Sequence, residues 1–302
     1  MKHTFYSNGK LLLTGEYLVL DGARSLALPC ALGQFLTIEE NETNTVQWES
    51  YDSDQSCWFS GNFQIGDSIT TEQKDPVSNT LTTLLNTART LNPSFLQTGC
   101  TVKTRLTFSK DFGLGSSSTL IANLAAWAKI NPYTLLWNGF TGSGYDIACA
   151  TAEQAITYQL TNSKTPEVHH VDFNPVFKDS LFFVYLNKKQ NSREGIANYK
   201  ALGNKNNRAI ATVNTITKNM LQCASLSDFE QLINMHESCI SKLIQQPRVS
   251  TALFPDYFGQ LKSLGAWGGD FILATGNEET PRYFKEKGYA TLYPYNSLIK
   301  KH

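Results

Sequence analysis

Little in this 302-residue chain is present in excess. Its 26 basic and 26 acidic side chains cancel, so nothing in the charge balance points to a nucleic-acid or anionic-membrane partner, and any anion is expected to be held locally. No apolar run approaches membrane-spanning length, and the polar stretch Met1 to Asn8 lacks the charged-then-apolar plan of a signal peptide. The six cysteines (Cys30, Cys57, Cys100, Cys149, Cys223, Cys239) include no CxxC pair and no regular spacing, which predicts reduced, mostly buried thiols. No glycine is followed at the P-loop distance by Gly-Lys-Ser/Thr, and the third glycine of a dinucleotide fingerprint is missing. A soluble, cytoplasmic protein of one large or two ordinary domains is expected, without a nucleic-acid or membrane partner.

What the sequence does have is glycine in particular places. Phe112-Gly113-Leu114-Gly115-Ser116-Ser117-Ser118-Thr119-Leu120 follows an alternating run, Cys100 to Phe108, that reads as a strand. It precedes an Ala/Leu/Trp-rich run that reads as a helix. A loop of small residues between strand and helix leaves the first helical N–H groups unpaired, with the positive end of the helix dipole behind them, so it suits a phosphate. The plain alternative is a glycine turn with a serine cap. A second glycine-serine stretch, Thr141 to Tyr145, stands before another alanine-rich helix and carries Asp146 in its first turn. Two such loops in one domain favour the functional reading.

Elsewhere the chain alternates strands and helices. Lys10 to Leu20 is apolar on both sides of Gly15, with Lys10 and Glu16 as its conspicuous charges, side chains that ordinarily stay in water. Ser25 to Pro29 and Gln34 to Glu39 read as separate strands, and Glu40 to Asp75 as irregular antiparallel strands and loops. Pro76 to Leu91 reads as a helix. Ala155 to Leu160 and Glu167 to Asp172 read as a hairpin about Thr161-Asn162-Ser163-Lys164, and Leu181 to Leu186 as a strand. Asn187 to Glu194 reads as a polar loop in which Lys188, Lys189 and Arg193 are compatible with a phosphate. Helices are expected over 210–224, 226–243, 253–264 and 280–287, and strands over 271–274 and 290–295. Such alternation predicts an α+β second domain beginning near Asp179.

Three glycine-bearing segments in this order, Asn8 to Pro29 with its Gly-Lys-x-x-x-x-Gly-Glu, Gly113 to Ser118, and Gly265 to Phe271, resemble the GHMP small-molecule kinases over nearly the whole chain. Gly15-Glu16-Tyr17, the Gly269-Asp270 ending and Gly144-Tyr145-Asp146-Ile147-Ala148 are similar to the phosphomevalonate branch and to a GYDIA subgroup. The resemblance implies an α+β fold of two domains. Residues 1–178 would be a ribosomal-S5-like ATP-binding domain and 179–302 a ferredoxin-like domain. It also implies γ-phosphoryl transfer from ATP to a small hydroxylated acid, phosphomevalonate first and mevalonate second, with a non-catalytic nucleotide- or metabolite-binding relative as the alternative.

By that resemblance Gly113, Leu114, Gly115, Ser116, Ser117 and Ser118 hold the nucleotide phosphates, with Ser117 or Ser116 near Mg²⁺. Asp146 takes or orients the proton of the attacking hydroxyl. Lys10 keeps Asp146 ionised and offsets charge on the transferred group. Glu16, Tyr17, Ser143, Gly144, Ser192, Arg193, Gly265, Ala266 and Gly268 are implied as substrate contacts. The sequence departs from the family's pattern at Trp267, which stands where a glycine is usual, and at Leu264 before it. Either the substrate differs, or the indole points away from the site, or transfer is weak. An acidic Mg²⁺ ligand is not evident; Glu153 and Asp75 qualify by position alone.

Overall fold

The computed structural model describes residues 2–161, 165–203 and 206–301. In chain order the elements are β1 (Lys2–Thr14), β2 (Ser25–Glu40), β3 (Thr45–Tyr51), β4 (Cys57–Ile65), β5 (Ile69–Thr70), α1 (Pro76–Leu91), β6 (Cys100–Leu106), α2 (Ser116–Ala128), α3 (Pro132–Gly139) and α4 (Tyr145–Thr151). They continue with β7 (Ile156–Leu160), β8 (Pro166–His170), β9 (Leu181–Tyr185), α5 (Ser192–Ala201), α6 (Asn207–Leu221), α7 (Leu226–Ile244), α8 (Val249–Ala252), β10 (Leu261–Ser263), β11 (Phe271–Thr275), α9 (Thr280–Glu286), β12 (Leu292–Pro294) and α10 (Tyr295–Leu298). No described helix is long and apolar enough to cross a membrane. The fold is α+β, as expected.

The chain forms two compact bodies. The first comprises Met1–Gly9, Leu32–Lys110 and Leu114–Thr151. Its sheet runs β5-β4-β3-β6-β2, with the β2 residues Gln34–Glu40 antiparallel to β6. Within Glu40 to Asp75 the pairings β3–β4 and β4–β5 are antiparallel, as read, while β3 is parallel to β6, so the sheet as a whole is mixed. Alternate residues of β6 are buried, as a one-sided sheet requires. Of these, Cys100 and Val102 share a core with Leu81, Leu84 and Leu85 of α1, Ile121, Leu124 and Ala125 of α2, and Trp48 and Phe63. Helix α1 begins where the sequence predicts: Asp75 caps it, accepting from the Val77 and Ser78 N–H groups, and Pro76 occupies the first turn.

The second body comprises Lys10–Ala31, Asp111–Gly113 and Ala152–His302. In it Ser25–Ala27 pairs with β7, and β7 with β8. The predicted hairpin is present; of its turn, Asn162, Ser163 and Lys164 lie outside the described residues. A four-stranded antiparallel sheet, β10-β11-β9-β12, lies in the same body. Its apolar side chains pack with Phe254 and Phe284, while α6 and α7 enclose Tyr17, Leu18, Ile240 and Trp267.

Three local readings are corrected. Ser25 to Glu40 is one strand, not two. Residues 253–264 are not a helix: α8 ends at Ala252 and Leu261–Ser263 is a strand. Pro255 lacks an N–H, and Gly259 lies so close to the Thr275 carbonyl that a Cβ would meet it at 2.0 Å. Asn187 to Glu194 is not all loop, since Asn191 caps α5 by accepting from the Arg193 N–H. The thiols are all free, but only Cys30, Cys100 and Cys149 are buried, and Cys57 is exposed.

Candidate functional site

The glycine-serine loop enters α2 through two left-handed residues, Gly113 (φ 68°) and Gly115 (φ 95°). Both conformations are ones that glycine adopts without steric cost. Gly115 occupies the N-cap position, where it has no side chain to satisfy the first N–H groups of the 13-residue helix. The serines divide. Ser118 is buried and donates its hydroxyl to the Gly115 carbonyl at 2.9 Å, and Thr119 donates to the same carbonyl and to Gln34 Oε1. These bonds brace the loop from within. Ser117 is exposed and Ser116 half-buried, so the hydroxyls available to a ligand are theirs, and Ser118 serves the loop rather than a phosphate through its side chain. Leu114 is fully buried and offers a ligand only its backbone.

In the second body, Lys10 Nζ donates to the Gly113 carbonyl at 2.9 Å. The Asp270 carboxylate lies against the same glycine, so that a Cβ at Gly113 would stand 2.3 Å from Asp270 Cγ. Asp270 also accepts from the Gln190 N–H at 3.0 Å and donates its own N–H to the Lys188 carbonyl at 2.7 Å. Burial raises the Asp270 pKa, against the lowering influence of the Gln190 N–H, Lys10 and Lys189. Sequence reasoning left Asp270 out of the site, although its place after Gly268-Gly269 was the available signal. Lys189 lies 3.5 Å from Asp111, both half exposed. Ser192 and Arg193 are exposed in the first turn of α5.

Asp146 belongs to the first body. It sits half-buried in the first turn of α4, its Oδ1 accepting from the Ile147 N–H at 3.1 Å. Ser143 and Gly144 precede it and are buried. Burial raises the Tyr133 phenol, and the nearby Asp146 carboxylate adds to the rise. Of the two acidic residues that qualified as metal ligands by position, Asp75 is committed to capping α1, and Glu153 is paired with Lys300. Among the described residues no group of three or more His, Cys, Asp and Glu side chains forms a metal cluster.

The first and third glycine segments meet inside the second body. Tyr17, at a positive φ of 64°, donates its hydroxyl to the Ala266 carbonyl at 2.7 Å. Trp267 is itself left-handed (φ 52°), which explains why a glycine would suit this position. Its indole is 2% exposed and packs among Tyr17, Leu18, Tyr199, Val213 and Ile240. The indole is buried beside Tyr17, its Nε1 without a hydrogen-bond partner among the described residues. Glu16 is not in water either. Its carboxylate is fully buried, bound at 2.5 Å by Lys262 Nζ and 3.2 Å from His236 Nε2. Lys262, His236 and the adjacent Glu237 were missed in the sequence, where a lysine within Leu261-Lys262-Ser263-Leu264 was the one available sign.

No family model matches this sequence, and no curated protein matches it. Solved structures do. The chain superposes on Streptococcus pneumoniae phosphomevalonate kinase in complex with phosphomevalonate and AMPPNP at a TM-score of 0.70, with 15% identity over 96% of this chain and 99% of that one. Methanococcus jannaschii mevalonate kinase is similar at 0.65 and 15%, over 97% of each chain. Lactococcus lactis galactokinase complexed with galactose is similar at 0.68 and 14%, over 99% of this chain and 93% of that one. The fold is that of the GHMP kinases. At such identities the GHMP fold is held in common while most side chains differ, so chemistry has to be argued from the residues of this chain.

Proposed function

We propose that the protein is an ATP-dependent kinase that transfers the γ-phosphoryl group to a small hydroxylated acid, with phosphomevalonate as the first choice of acceptor and mevalonate as the second. The observation that carries this reading is the end-to-end GHMP fold combined with a glycine-serine loop that opens α2 with its N-terminal N–H groups and the Ser116 and Ser117 hydroxyls uncommitted to side-chain capping. The phosphomevalonate kinase that shares the fold was solved with a nucleotide analogue and its acceptor. In this chain, Gly113 to Ser118 would receive the β- and γ-phosphates on backbone N–H groups backed by the helix dipole, Ser118 through its N–H alone because its hydroxyl is bound to Gly115. Mg²⁺ would be held by the nucleotide phosphates and the Ser117 or Ser116 hydroxyl, and would supply charge neutralisation.

Asp146 would accept or orient the acceptor's hydroxyl proton, and Lys10, which braces the Gly113 carbonyl, would supply positive charge to the transferred group. Glu16 is committed to Lys262 and Tyr17 to Ala266, so both would act on substrate through the backbone they hold. Gly265, Ala266, Gly268, Ser143, Gly144, Ser192 and Arg193 remain the proposed acceptor contacts. Burial of Trp267 in the core supports the kinase over the alternative of a non-catalytic nucleotide- or metabolite-binding relative.

The test is ADP release with MgATP and, in parallel, mevalonate, mevalonate 5-phosphate, homoserine and galactose. Turnover with the phosphorylated acid alone supports the first choice, and turnover with galactose alone would replace it with a sugar kinase. Asp146→Asn is expected to lower turnover at least a hundredfold while nucleotide binding persists. Full activity in that variant removes Asp146 from the chemistry.

A further inference from the structure

Glu16, Lys262, His236 and Glu237 are each 0–1% exposed, and all lie in the second body. Lys262 projects from β10, the edge strand of the four-stranded sheet, and donates to Glu16 Oε1 at 2.5 Å and to the Ser263 carbonyl at 2.9 Å. From α7, His236 accepts the Gly15 N–H on Nε2 at 3.1 Å, which a neutral imidazole allows. The next residue, Glu237, accepts from the Ser263 N–H and hydroxyl at 3.1 and 3.2 Å. One turn of α7 therefore grips the residue before Glu16 and the residue after Lys262, while Tyr17 reaches the Ala266 carbonyl.

A buried ion pair of this kind is a poor way to gain stability, because two apolar side chains of similar volume avoid the desolvation of both charges. What it does provide is a single geometry. Apolar surfaces can slide, whereas a buried ammonium must keep its carboxylate. The turn it touches needs such a restraint, since Gly15 (φ 95°) and Tyr17 (φ 64°) both stand at positive φ. A Cβ at Gly15 would collide with Ser25 Oγ at 2.0 Å, so the backbone there has no slack.

We infer that Lys262 is a positioning residue that clamps the Gly15–Tyr17 turn, through Glu16, to the entrance of the Gly265–Gly268 loop, and so fixes the relative placement of two acceptor-binding segments. The acceptor-binding part rests on the kinase reading; the clamp itself does not.

The experiment compares wild type, Lys262→Met and the double variant Lys262→Met/Glu16→Leu by urea unfolding, by amide hydrogen exchange of peptides covering 12–20 and 261–272, and by steady-state ADP release. Lys262→Met leaves Glu16 buried without its cation and should unfold at lower urea. The double variant removes both charges and should recover most of the midpoint. If the pair is a clamp, exchange in both peptides stays at least tenfold faster in the double variant than in wild type, and KM for the acceptor stays raised at least tenfold while KM for ATP moves less. Wild-type exchange and wild-type KM in a double variant of recovered stability would overturn the inference, because the pair would then only fill space. Wild type alone gives a further check that needs no variant. The Gly15 and Ser263 amides should exchange in the slowest class, opening only with global unfolding, and loop-like exchange at both would also overturn the clamp. If wild type releases no ADP with any acceptor, the kinase reading fails while the exchange data still decide the clamp.

Discussion

Gly113 is the residue at which the loop, Lys10 and Asp270 converge, and replacing it by alanine is the sharpest test of that convergence. Two costs arise. The backbone is left-handed at φ 68°, where any side chain with a Cβ costs about 1–2 kcal/mol. The new methyl would also stand 2.3 Å from Asp270 Cγ and 2.4–2.5 Å from its oxygens, far inside contact distance. Asp270 cannot withdraw freely, since it accepts from the Gln190 N–H and its own N–H is bound to Lys188. Overpacking of this kind costs about 1–3 kcal/mol. Gly113→Ala should therefore lose roughly 2–5 kcal/mol in urea unfolding, or shift the loop with loss of the Lys10 bond to the Gly113 carbonyl. The steric part belongs to Asp270 and the backbone part does not. In Gly113→Ala/Asp270→Gly the loss should shrink by about 1–3 kcal/mol relative to the sum of the two single variants. A Gly113→Ala protein within about 0.5 kcal/mol of wild type, or a double variant showing no coupling, would refute the close approach of Asp270 to the loop.

Other expectations follow from single side chains. Trp267→Ala removes a buried indole and should cost about 3–5 kcal/mol, offset little by its unfavourable φ; a change below about 1 kcal/mol in urea unfolding would mean that the indole is not in the core. Burial holds the Glu237 carboxyl protonated up to about 8, well above its ordinary value of 4.5. The folded state therefore keeps a proton that the unfolded chain has released, and this contribution to stability is lost as pH rises from about 4.5 to 8 and is constant above. Burial keeps His236 neutral and so adds a pH dependence of opposite sign; Glu237→Gln should remove only the falling part, leaving stability relatively higher at pH 8 than at pH 5 compared with wild type, and a urea-midpoint difference between variant and wild type that is the same at pH 5 and pH 8 would contradict it. Asp75→Ala deletes the cap of α1 and should cost about 1 kcal/mol without changing ADP release; a loss of Mg²⁺-dependent activity at unchanged stability would return Asp75 to the metal site.

Much of this was legible because it is local. Asp75-Pro76 followed by leucines at helical spacing gives α1 from sequence alone, and the glycines at 113 and 115 announce left-handed turns before α2. The order of the three glycine segments resembles one fold, and the solved neighbours share it. Local pattern misled where a competing term was not local. Residues 253–264 carry helical periodicity, but Gly259 has to admit the Thr275 carbonyl, and the chain becomes a strand. The residues after Asn191 are too polar to show an apolar face, yet they are helical because Asn191 caps them.

The sequence by itself marked a turn at Gly113 and Gly115, since the ease of a left-handed conformation is a property of glycine itself. It also determined which residue types stand beside those turns. Only the tertiary structure decided what the side chains do there: that Trp267 faces the core, that Ser118 braces its own loop, and that Glu16 lies out of water with Lys262, 246 residues away in the chain. The reason is physical. A dihedral preference is set by adjacent atoms, whereas the fate of a charge or an indole depends on what excludes water from it, and those groups arrive from distant parts of the chain.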